Sequence, residues 1–455
     1  MTEYQRCLFE AVDLGNDDRL SSLLSQPDDT DTCHHQEETD EGDEKRRRRK
    51  EVVMNTRDCV GWTLVHLAAF VGHPRVLEVL LASLSDHTHD DVDSSAVVFR
   101  STPLHIAAEM GHLETVKLLL MHSMKQLGRA RSRMNVNSED IDGFTPLHKA
   151  CQNGKCEVVR MLVNLGEASV LKENSVGQTP LHVACRSHQL KVVDTLINEF
   201  HCEVNKPDKK GRTALYFACD NGDLEVVRFL VSAGGDVNCT DNDGNTPLHI
   251  ATGCGYINIV NTLLQVEGIN KEALAADDRT PFHVACERGR FQIAKLLISS
   301  GVDLERKTRR GDTPLHIACC RWNKEVAELL IDCGADINQQ DSKGWTALML
   351  AVAEASEKMV ELLLQKGADP SICTTEVCSR WHIQYPPGLT AFGLSHRARY
   401  KEYVNLSLQL LRAGAAVDID AKSLMHANGF ATLRGVIAAC DEFKQHTDTD
   451  TIFLL

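Results

Sequence analysis

The motif Thr-Pro-Leu-His returns along the chain at an almost constant spacing. From Thr145 to Thr346, the threonines that open the motif or a near-copy of it are 34, 34, 33, 34, 33 and 33 residues apart. A period this regular is typical of stacked supersecondary units, each of which contacts only its neighbours. The chain is therefore predicted to be an array of repeats with no single large core. Full motifs begin at Thr102, Thr145, Thr179, Thr246 and Thr313, and near-copies begin at Thr63, Thr213, Thr280, Thr346 and Thr390.

One repeat illustrates the local structure that the motif predicts. Thr145 is suited to the N-cap of a short helix, because its hydroxyl accepts a hydrogen bond from a backbone N–H of the first turn. Pro146 fits the first helical position, and His148 falls at the third, where a polar ring reaches back to the cap. Gly154, nine residues after the threonine, is suited to a left-handed turn. Apolar residues at helical spacing then predict a second helix.

These motifs resemble those of the ankyrin-repeat family, in which TPLHxA opens a helix–turn–helix unit that is followed by a β-turn. The resemblance covers residues 56–420. It implies an all-α fold, an ankyrin-repeat solenoid of stacked helix–turn–helix units with β-turn tips, about ten repeats long plus degenerate caps. It also implies a binding protein that contacts its partner through the concave face, the turn tips and the first helices.

Other parts of the chain depart from the repeat pattern. Residues 1–25 are predicted to form a degenerate N-terminal capping repeat, and residues 421–440 a C-terminal cap. The charged stretch 26–55 has nothing to fill a core, so we expect a disordered loop with an acidic and a basic part. Residues 441–455 are expected to be a mobile tail. Longer steps between motifs predict insertions near residues 83–100, 121–140 and 371–389 of the array.

Composition and charge argue against several classes of function. The formal net charge of −15 argues against a nucleic acid partner, because basic side chains dominate binding to phosphates. No run approaches the roughly 18 apolar residues of a membrane-spanning helix, and no secretory signal opens the sequence, so we expect no membrane insertion. The 17 cysteines are then expected to be reduced thiols. We also expect no cofactor, no metal and no small-molecule substrate, since no catalytic motif occurs.

One cluster of reactive residue types, GDTPLHIACC at residues 311–320, suggests a catalytic or metal-binding site. The repeat alignment favours a structural interpretation instead. His316 takes the third helical position, and Cys319 takes a place that cysteine or alanine fills in other repeats. A second cluster, two cysteines and a histidine within residues 373–382, lies outside any repeat position. A zinc site needs four ligands, and because no fourth ligand is visible the sequence favours no metal there either.

Candidate partner-binding residues lie at the position before each motif threonine, which the repeat geometry puts at the base of an exposed tip. Aromatic and arginine side chains are the types that dominate interface energies. Basic tips on an acidic chain would also steer an acidic partner segment. The alternative that the aromatic side chains pack on the neighbouring tip stays open. The predicted docking tips are 206–212, 277–279, 306–312 and 341–345, and the candidate residues are Trp62, Phe144, Lys210, Arg212, Arg279, Arg306, Arg309, Arg310 and Trp345.

Six consecutive basic residues follow an acidic stretch in the loop predicted to be disordered. A basic run of this length is typical of a nuclear-import signal. The six acidic residues within 37–44 offer the alternative of a charge run that its neighbours neutralise. We therefore expect a cytoplasmic protein, which also enters the nucleus if the basic run is a working signal. The residues of the run are Lys45, Arg46, Arg47, Arg48, Arg49 and Lys50.

The sequence favours a non-enzymatic scaffold or adaptor that binds another protein. An alternative is a regulatory or substrate-recognition subunit of an enzyme complex, such as a ubiquitin ligase, a kinase or a phosphatase. An enzyme with chemistry in residues 371–455 is disfavoured, because that stretch is short and partly continues the repeat pattern at Thr390. Residue types capable of catalysis are spread over equivalent positions, whereas a catalytic site needs them to converge in a pocket.

Overall fold

The computed structural model describes residues 3–25, 57–58, 61–84, 99–125, 135–380, 383–395 and 402–415. They form two compact units, which lie within Met1–Cys239 and Thr240–Leu455. Several predicted segments lie outside the described residues. These are the loop 26–55 with its basic run, the C-terminal cap 421–440, the tail 441–455 and the central parts of the first two insertions.

In each unit the helices come in pairs, and each pair packs on the next. First helices contact first helices of the neighbouring pairs, and second helices contact second helices, so the apolar faces form a continuous core within the unit. The first unit contains α1 (Glu3–Asp13), α2 (Asp17–Ser25), α3 (Leu64–Val71), α4 (Pro74–Leu84), α5 (Pro103–Met110), α6 (Leu113–Lys125), α7 (Pro146–Gln152), α8 (Cys156–Asn164), α9 (Pro180–Arg186), α10 (Leu190–Asp194) continued by a π-helical turn (Thr195–Glu199), α11 (Ala214–Asn221) and α12 (Leu224–Ser232).

The second unit follows the same alternation and adds two short strands. It contains α13 (Pro247–Cys254), α14 (Ile257–Leu264), a single 3-10 turn (Ala276–Asp278), α15 (Pro281–Glu287), α16 (Phe291–Ser299), α17 (Pro314–Cys320), α18 (Lys324–Asp332), α19 (Ala347–Ala353), α20 (Glu357–Gln365), β1 (Cys378–Arg380), β2 (Ile383–Tyr385), α21 (Ala391–Ser395) and α22 (Glu402–Arg412).

The motif forms the first helix of a repeat as its residues predict. Before α7, the hydroxyl of Thr145 accepts a hydrogen bond from the backbone N–H of His148, and Pro146 takes the first helical position. Ala150 and Cys151 on the same helix are fully buried. Small side chains at these positions let neighbouring first helices approach closely, which is why the motif continues with alanine and cysteine.

The N-terminal segment also forms a helix pair. Leu8 and Ala11 of α1 and Leu20 of α2 are fully buried, since α1 packs on α3 and α2 packs on α4. The pair thus continues the alternation of the repeats without their Thr-Pro-Leu-His motif. That residues 1–25 act as a capping repeat remains a prediction.

The turn between the two helices of a repeat has a left-handed backbone at the ninth residue after the motif threonine. Most repeats place a glycine there, with φ between 64° and 92°. Glycine adopts this conformation without the clash that a Cβ would introduce. Three repeats carry His188, Trp322 or Ala355 instead, with φ of 58°, 60° and 55°. A left-handed backbone at a residue with a Cβ costs about 1 kcal/mol relative to glycine.

The insertion near 371–389 contains a hairpin that the all-helical expectation omits. Strands β1 and β2 pair antiparallel, with Cys378 opposite Tyr385. At the base of the hairpin, the backbone N–H of Thr374 donates to the carbonyl of Leu389 (2.9 Å). The chain thus returns close to its point of departure before the next repeat begins at Thr390, and the repeat stack continues with α21 and α22.

Candidate protein-interaction surface

Between successive repeats the chain turns sharply at a tip, and a polar side chain holds most tips closed. In residues 208–212, Oδ1 of Asp208 accepts hydrogen bonds from the backbone N–H groups of Lys210 (2.8 Å) and Arg212 (2.9 Å). Gly211 has a φ of 78°, which suits the tight turn. The tip is therefore rigid. Carboxylate or amide oxygens close other tips in the same way at Asp140, Asn174, Asp241 and Asp341.

Neighbouring tips of the second unit are joined through their backbones, and we call this series of hydrogen bonds the tip ladder. An N–H of one tip donates to a carbonyl of the tip before it, so every tip in the series is held by its neighbours. Side chains on the ladder are consequently presented at fixed spacing. The donor and acceptor residues are Ala276 and Asp243 (2.9 Å), Arg309 and Asp277 (2.9 Å), Ser342 and Arg310 (3.3 Å), and Thr375 and Lys343 (3.1 Å).

The motif histidines connect each first helix to the following tip. Nδ1 of His148 accepts a hydrogen bond from the backbone N–H of Thr145 (3.1 Å), as in a capping box. Its Nε2 then donates to the carbonyl of Gln178 (3.0 Å), in the next repeat. The sequence predicts the first bond but not the second. Equivalent bonds run from His66 to Ser101, His105 to Phe144, His182 to Arg212, His249 to Arg279 and His316 to Trp345. His283 donates to the carbonyl of Arg306, at the start of its following tip.

The residues of GDTPLHIACC have structural roles. Cys319 is fully buried, and burial raises the pKa of its thiol well above the ordinary value, so the nucleophilic thiolate does not form near neutral pH. His316 is buried as well, and both of its ring nitrogens are engaged, with Thr313 and with Trp345. The prediction that this cluster belongs to the core is therefore confirmed by its geometry.

Trp62 and Phe144 are both half-buried at the base of their tips. The Trp62 ring lies 5.3 Å from the ring of Phe70, between centroids. The Phe144 ring meets the ring of His148 edge-on at 5.6 Å, and the ammonium group of Lys149 lies 5.1 Å from its centroid. Each aromatic side chain thus rests on the first helix of its own repeat and keeps part of its surface open to a partner.

Trp345 does not belong to this surface, so its prediction as a docking residue is wrong. Its side chain is 0% exposed. The ring of Tyr385 meets the indole edge-on at 5.2 Å. Tyr385 comes from strand β2, so the inserted hairpin covers the position that other repeats leave partly open. The side chain of Trp345 therefore packs inside the protein and does not face a partner.

The candidate basic residues of the first unit differ in how much positive charge they present to a partner. Arg212 is half-buried and donates to Oδ2 of Asp208 through both Nε (2.9 Å) and Nη2 (2.7 Å). Its guanidinium also lies 4.8 Å from the ring centroid of Phe217. Lys210, at the point of the same tip, is exposed. Arg212 is therefore committed to the fold, whereas Lys210 faces solvent.

The tip of residues 306–312 in the second unit concentrates exposed positive charge. Arg306, Arg309 and Arg310 are all exposed. Arg309 lies 3.5 Å from a carboxylate oxygen of Asp278; the arginine side chain is mostly in solvent and the aspartate side chain is partly exposed. An exposed ion pair of this kind contributes at most about 1 kcal/mol, so a partner carboxylate can replace it.

Arg279, the remaining candidate, is engaged more firmly. Its Nη1 donates to Oε2 of Glu287 (2.8 Å), whose other carboxylate oxygen accepts from Arg321 (2.6 Å). The Glu287 carboxylate is mostly buried. Arg279 thus ties the base of its tip to the end of helix α15, and it offers less charge to a partner than the arginines of residues 306–312.

A cleft of about 530 Å³ lies beside the second helices of the first unit. Lys155, Lys191, Asp194 and Arg160 are among the residues that line it. The guanidinium of Arg160 donates to Glu157 (2.6 Å) and to Glu199 (2.6 Å), so its charge is compensated. The cleft therefore has mixed charge.

In the part of the chain that the structure describes, no group of three or more histidine, cysteine, aspartate or glutamate side chains is placed to hold a metal ion. His382 of the second cysteine–histidine cluster lies outside the described residues. No described helix combines the length and the apolar character that crossing a bilayer requires.

Known proteins share segments of similar sequence with this chain, among them the following three. Alpha-latrotoxin-Lhe1a of Latrodectus hesperus is 32% identical over 102 residues, which are 22% of this chain and 6% of the toxin. The nuclear factor NF-kappa-B p105 subunit of Gallus gallus is 28% identical over 248 residues, 54% of this chain and 21% of that protein. I-Kappa-B like protein C2 of Microplitis demolitor bracovirus (isolate Webb) is 34% identical over 73 residues, 16% of this chain and 40% of the viral protein. The chain thus matches less than half the length of each relative.

A family model described as ankyrin repeats (3 copies) matches the chain in five overlapping segments, residues 8–130, 123–208, 192–275, 233–308 and 282–373. Together they cover well over half of the sequence, and they coincide with the helix pairs and tips of both units. The chain belongs to the ankyrin-repeat family.

Proposed function

We propose that this chain is a non-enzymatic scaffold or adaptor that docks a partner protein on its tips and on the concave face that the family geometry implies. Ankyrin repeats indicate a role in protein–protein interaction. The observation that carries the finer proposal is the tip of residues 306–312, where Arg306, Arg309 and Arg310 are exposed on a rigid ladder. Positive charge on an otherwise acidic chain attracts an acidic segment of a partner and raises its association rate.

The neighbouring tips restrict how such a segment would lie. On one side, Asp277 and Asp278 would repel it. On the other side, Lys343 is half-buried and pairs with Glu376 at 2.5 Å, both at the surface of the tip. We therefore expect the acidic segment to extend from the arginines of residues 306–312 toward Lys343, away from the aspartates.

The proposal is tested by reversing charge on the tip. Tagged full-length chain and the double variant Arg309→Glu, Arg310→Glu are used to isolate bound proteins, which mass spectrometry identifies. We expect partners that the wild type retains and the variant loses, with at least about tenfold weaker binding in purified form. The salt dependence of binding should also fall, because fewer ion pairs form.

A matched control separates the tip from the net charge. Lys295→Glu with Lys358→Glu makes the same change of charge in the same unit, at exposed positions on the second helices α16 and α20. The control should bind as the wild type does. If the tip variant binds normally, or if it no longer folds, this assignment of the docking tip is wrong.

We also propose a cytoplasmic location, with access to the nucleus through the basic run at residues 45–50. Replacing the arginines of the run tests this part of the proposal separately, because it does not touch the tips.

A further inference from the structure

Trp322 occupies a position at which most repeats have glycine. It follows helix α17 in the turn between the two helices of its repeat, with a φ of 60°. A bulky side chain on a left-handed backbone is strained, and such strain persists where the surrounding structure holds it and a function keeps it. The side chain is also 61% exposed. Of the tryptophans that the structure describes, Trp322 alone is mainly in solvent.

Neither the left-handed backbone of Trp322 nor the exposure of its side chain helps this chain to fold. Glycine would relieve the backbone, and a polar side chain would suit the solvent. The other two residues that replace glycine at this position do not combine a left-handed backbone with an exposed aromatic side chain. His188 is polar and lies 3.3 Å from the carboxylate of Asp223, while Ala355 is small and half-buried. An exposed aromatic side chain held on a strained turn is typical of a binding residue, because tryptophan contributes strongly to interface energy.

The turn that carries Trp322 is fixed to the neighbouring repeat. The side-chain amide of Asn323 donates to the carbonyls of Cys286 (2.7 Å) and Glu287 (3.1 Å), at the end of helix α15. The backbone N–H of Trp322 donates to the carbonyl of Cys319 (3.2 Å). The indole is therefore carried by a rigid turn, so a partner would lose little conformational entropy of the protein on binding there.

Basic residues lie close to Trp322 in the chain and on the turn next to it. Arg321 precedes it, Lys324 follows two residues later, and Arg288 comes directly after the carbonyls that Asn323 binds. All three side chains are exposed. Arg321 is paired with Glu287, whereas the structure shows no ion-pair partner for Arg288 or Lys324 among the described residues. The exposed carboxylate that adjoins them is Glu325.

We propose that the surface of Arg288, Arg321, Trp322 and Lys324, which we call the Trp322 turn, binds a short acidic segment of a partner protein. An apolar or aromatic side chain of the segment covers the indole, and its carboxylates pair with Arg288 and Lys324. The charge of the turn, on a chain with a net charge of −15, argues for an acidic occupant. This second docking surface is distinct from the tip of residues 306–312, since helix α17 lies between the two and its seven residues extend about 10 Å.

The test uses a random library of twelve-residue peptides displayed on phage, selected on the full-length chain and counter-selected on Trp322→Gly. We expect the enriched peptides to contain both acidic and aromatic or large apolar residues. A synthetic peptide from this group should bind Trp322→Gly roughly thirtyfold more weakly than wild type. It should also bind more weakly to Arg288→Glu, Lys324→Glu and at raised salt concentration. If no enriched peptide depends on Trp322, or if the dependent peptides lack acidic residues, the proposal is overturned.

Control variants distinguish binding from folding and from the tips. Ala355→Gly relieves the same backbone strain in the next repeat without removing an aromatic side chain, and it should bind the peptide normally. Trp322→Gly should unfold at a temperature no lower than wild type. Arg309→Glu with Arg310→Glu should keep peptide binding, so a failure of the proposed tip surface and a failure of this one are separable.

Two further outcomes would identify a different occupant and overturn the choice of a partner protein. Sedimentation showing a dimer that Trp322→Gly abolishes would mean that a second copy covers the turn. Peptide binding that appears only after deletion of residues 416–455 would mean that the chain's own C-terminal segment covers it.

Discussion

Nε2 of His316 donates a hydrogen bond to the carbonyl oxygen of Trp345, 2.9 Å away in the next repeat. Nδ1 of the same ring accepts a hydrogen bond from the backbone N–H of Thr313 (3.2 Å). One side chain therefore caps its own helix and holds the following tip. Because one nitrogen accepts and the other donates, the ring is neutral with its hydrogen on Nε2.

Replacing a motif histidine should therefore destabilise two repeats at once. We expect His148→Ala to lower the free energy of unfolding by about 2–4 kcal/mol, since it removes two buried hydrogen bonds and leaves a cavity. Urea denaturation measures the change. His201→Ala, at an exposed position in the same unit, is the control and should change stability by no more than about 0.5 kcal/mol. Equal stability of the two variants would contradict this role.

Stability should depend on pH through the same histidines. Burial lowers the pKa of His105, His148 and His283 from the ordinary 6.5 to about 4. The unfolded chain therefore binds more protons than the folded one between these values. The stability that the neutral rings contribute is fully present above pH 6.5 and is lost as the pH falls toward 4.

Carboxylates also titrate in the lower part of this pH range, so the contribution of a single histidine has to be measured separately from theirs. The loss of stability caused by His148→Gln should be largest near pH 7.5 and should shrink toward pH 4.5, because the glutamine carries no titrating ring. Urea denaturation of both proteins over a pH series gives this difference. A difference that does not change with pH would show that the ring does not titrate as burial implies.

Trp345 and Trp62 should respond differently to truncation. Trp345→Ala empties a fully buried site and removes the contact with Tyr385, so we expect a loss of about 3–5 kcal/mol. Trp62→Ala removes a half-buried ring and should cost about 1 kcal/mol. Thermal or urea unfolding compares them. A larger loss for Trp62 would contradict the burial of Trp345 beneath the hairpin.

Exposed cysteines should react faster than buried ones. In the folded chain we expect an aromatic disulfide reagent to modify the exposed thiols first and to reach the buried ones only after unfolding. Burial raises the pKa of Cys202 to about 11, for example, which suppresses its thiolate. Peptide mapping after a short reaction identifies the modified residues, and early labelling of a buried residue would contradict the packing. The exposed group is Cys254, Cys333 and Cys373, and the buried group is Cys151, Cys185, Cys202, Cys219, Cys286 and Cys319.

The basic run should decide the location of the protein in the cell. If residues 45–50 form an import signal, replacing Arg46, Arg47, Arg48 and Arg49 by alanine should move a fluorescently tagged chain from the nucleus to the cytoplasm. Replacing Glu37 and Glu38 instead alters the charge of the same stretch of sequence and serves as the control. An unchanged distribution, or no nuclear protein at the outset, would leave only a solvated charge run.

The family and its helix pairs could be predicted because the information is local and repeated. Thr145, Pro146 and His148 satisfy capping rules within four consecutive residues, and the same rules recur in the other repeats. The hydrogen bond from His148 to Gln178 could not be predicted in the same way. Its acceptor is a backbone carbonyl, which every residue possesses, and it lies 30 positions away. The recurrence of histidine at this position was the only signal for the second bond, and the role of histidine in capping the helix was enough to explain that recurrence.

The candidate surface could be predicted only in part. Arg309 and Arg310 lie in a turn of charged residues, where exposure follows from the sequence. Trp345 lies at the same position as Trp62, yet its burial depends on Tyr385, forty residues further along and within an irregular insertion. The period carries no information about an insertion. The repeat pattern does not predict Trp322, because most repeats have glycine at this position and the departure is visible only when one repeat is compared with the others.

The tip ladder uses N–H and carbonyl groups only, and these are the same whatever side chains the tips carry. Mutation of an exposed side chain at the point of a tip, such as Arg310, therefore leaves the ladder bonds intact. Selection can then act on recognition separately from folding, repeat by repeat. In evolutionary terms, a lineage with this architecture is able to exchange one binding specificity for another through a few surface substitutions, while its ancestral scaffold persists.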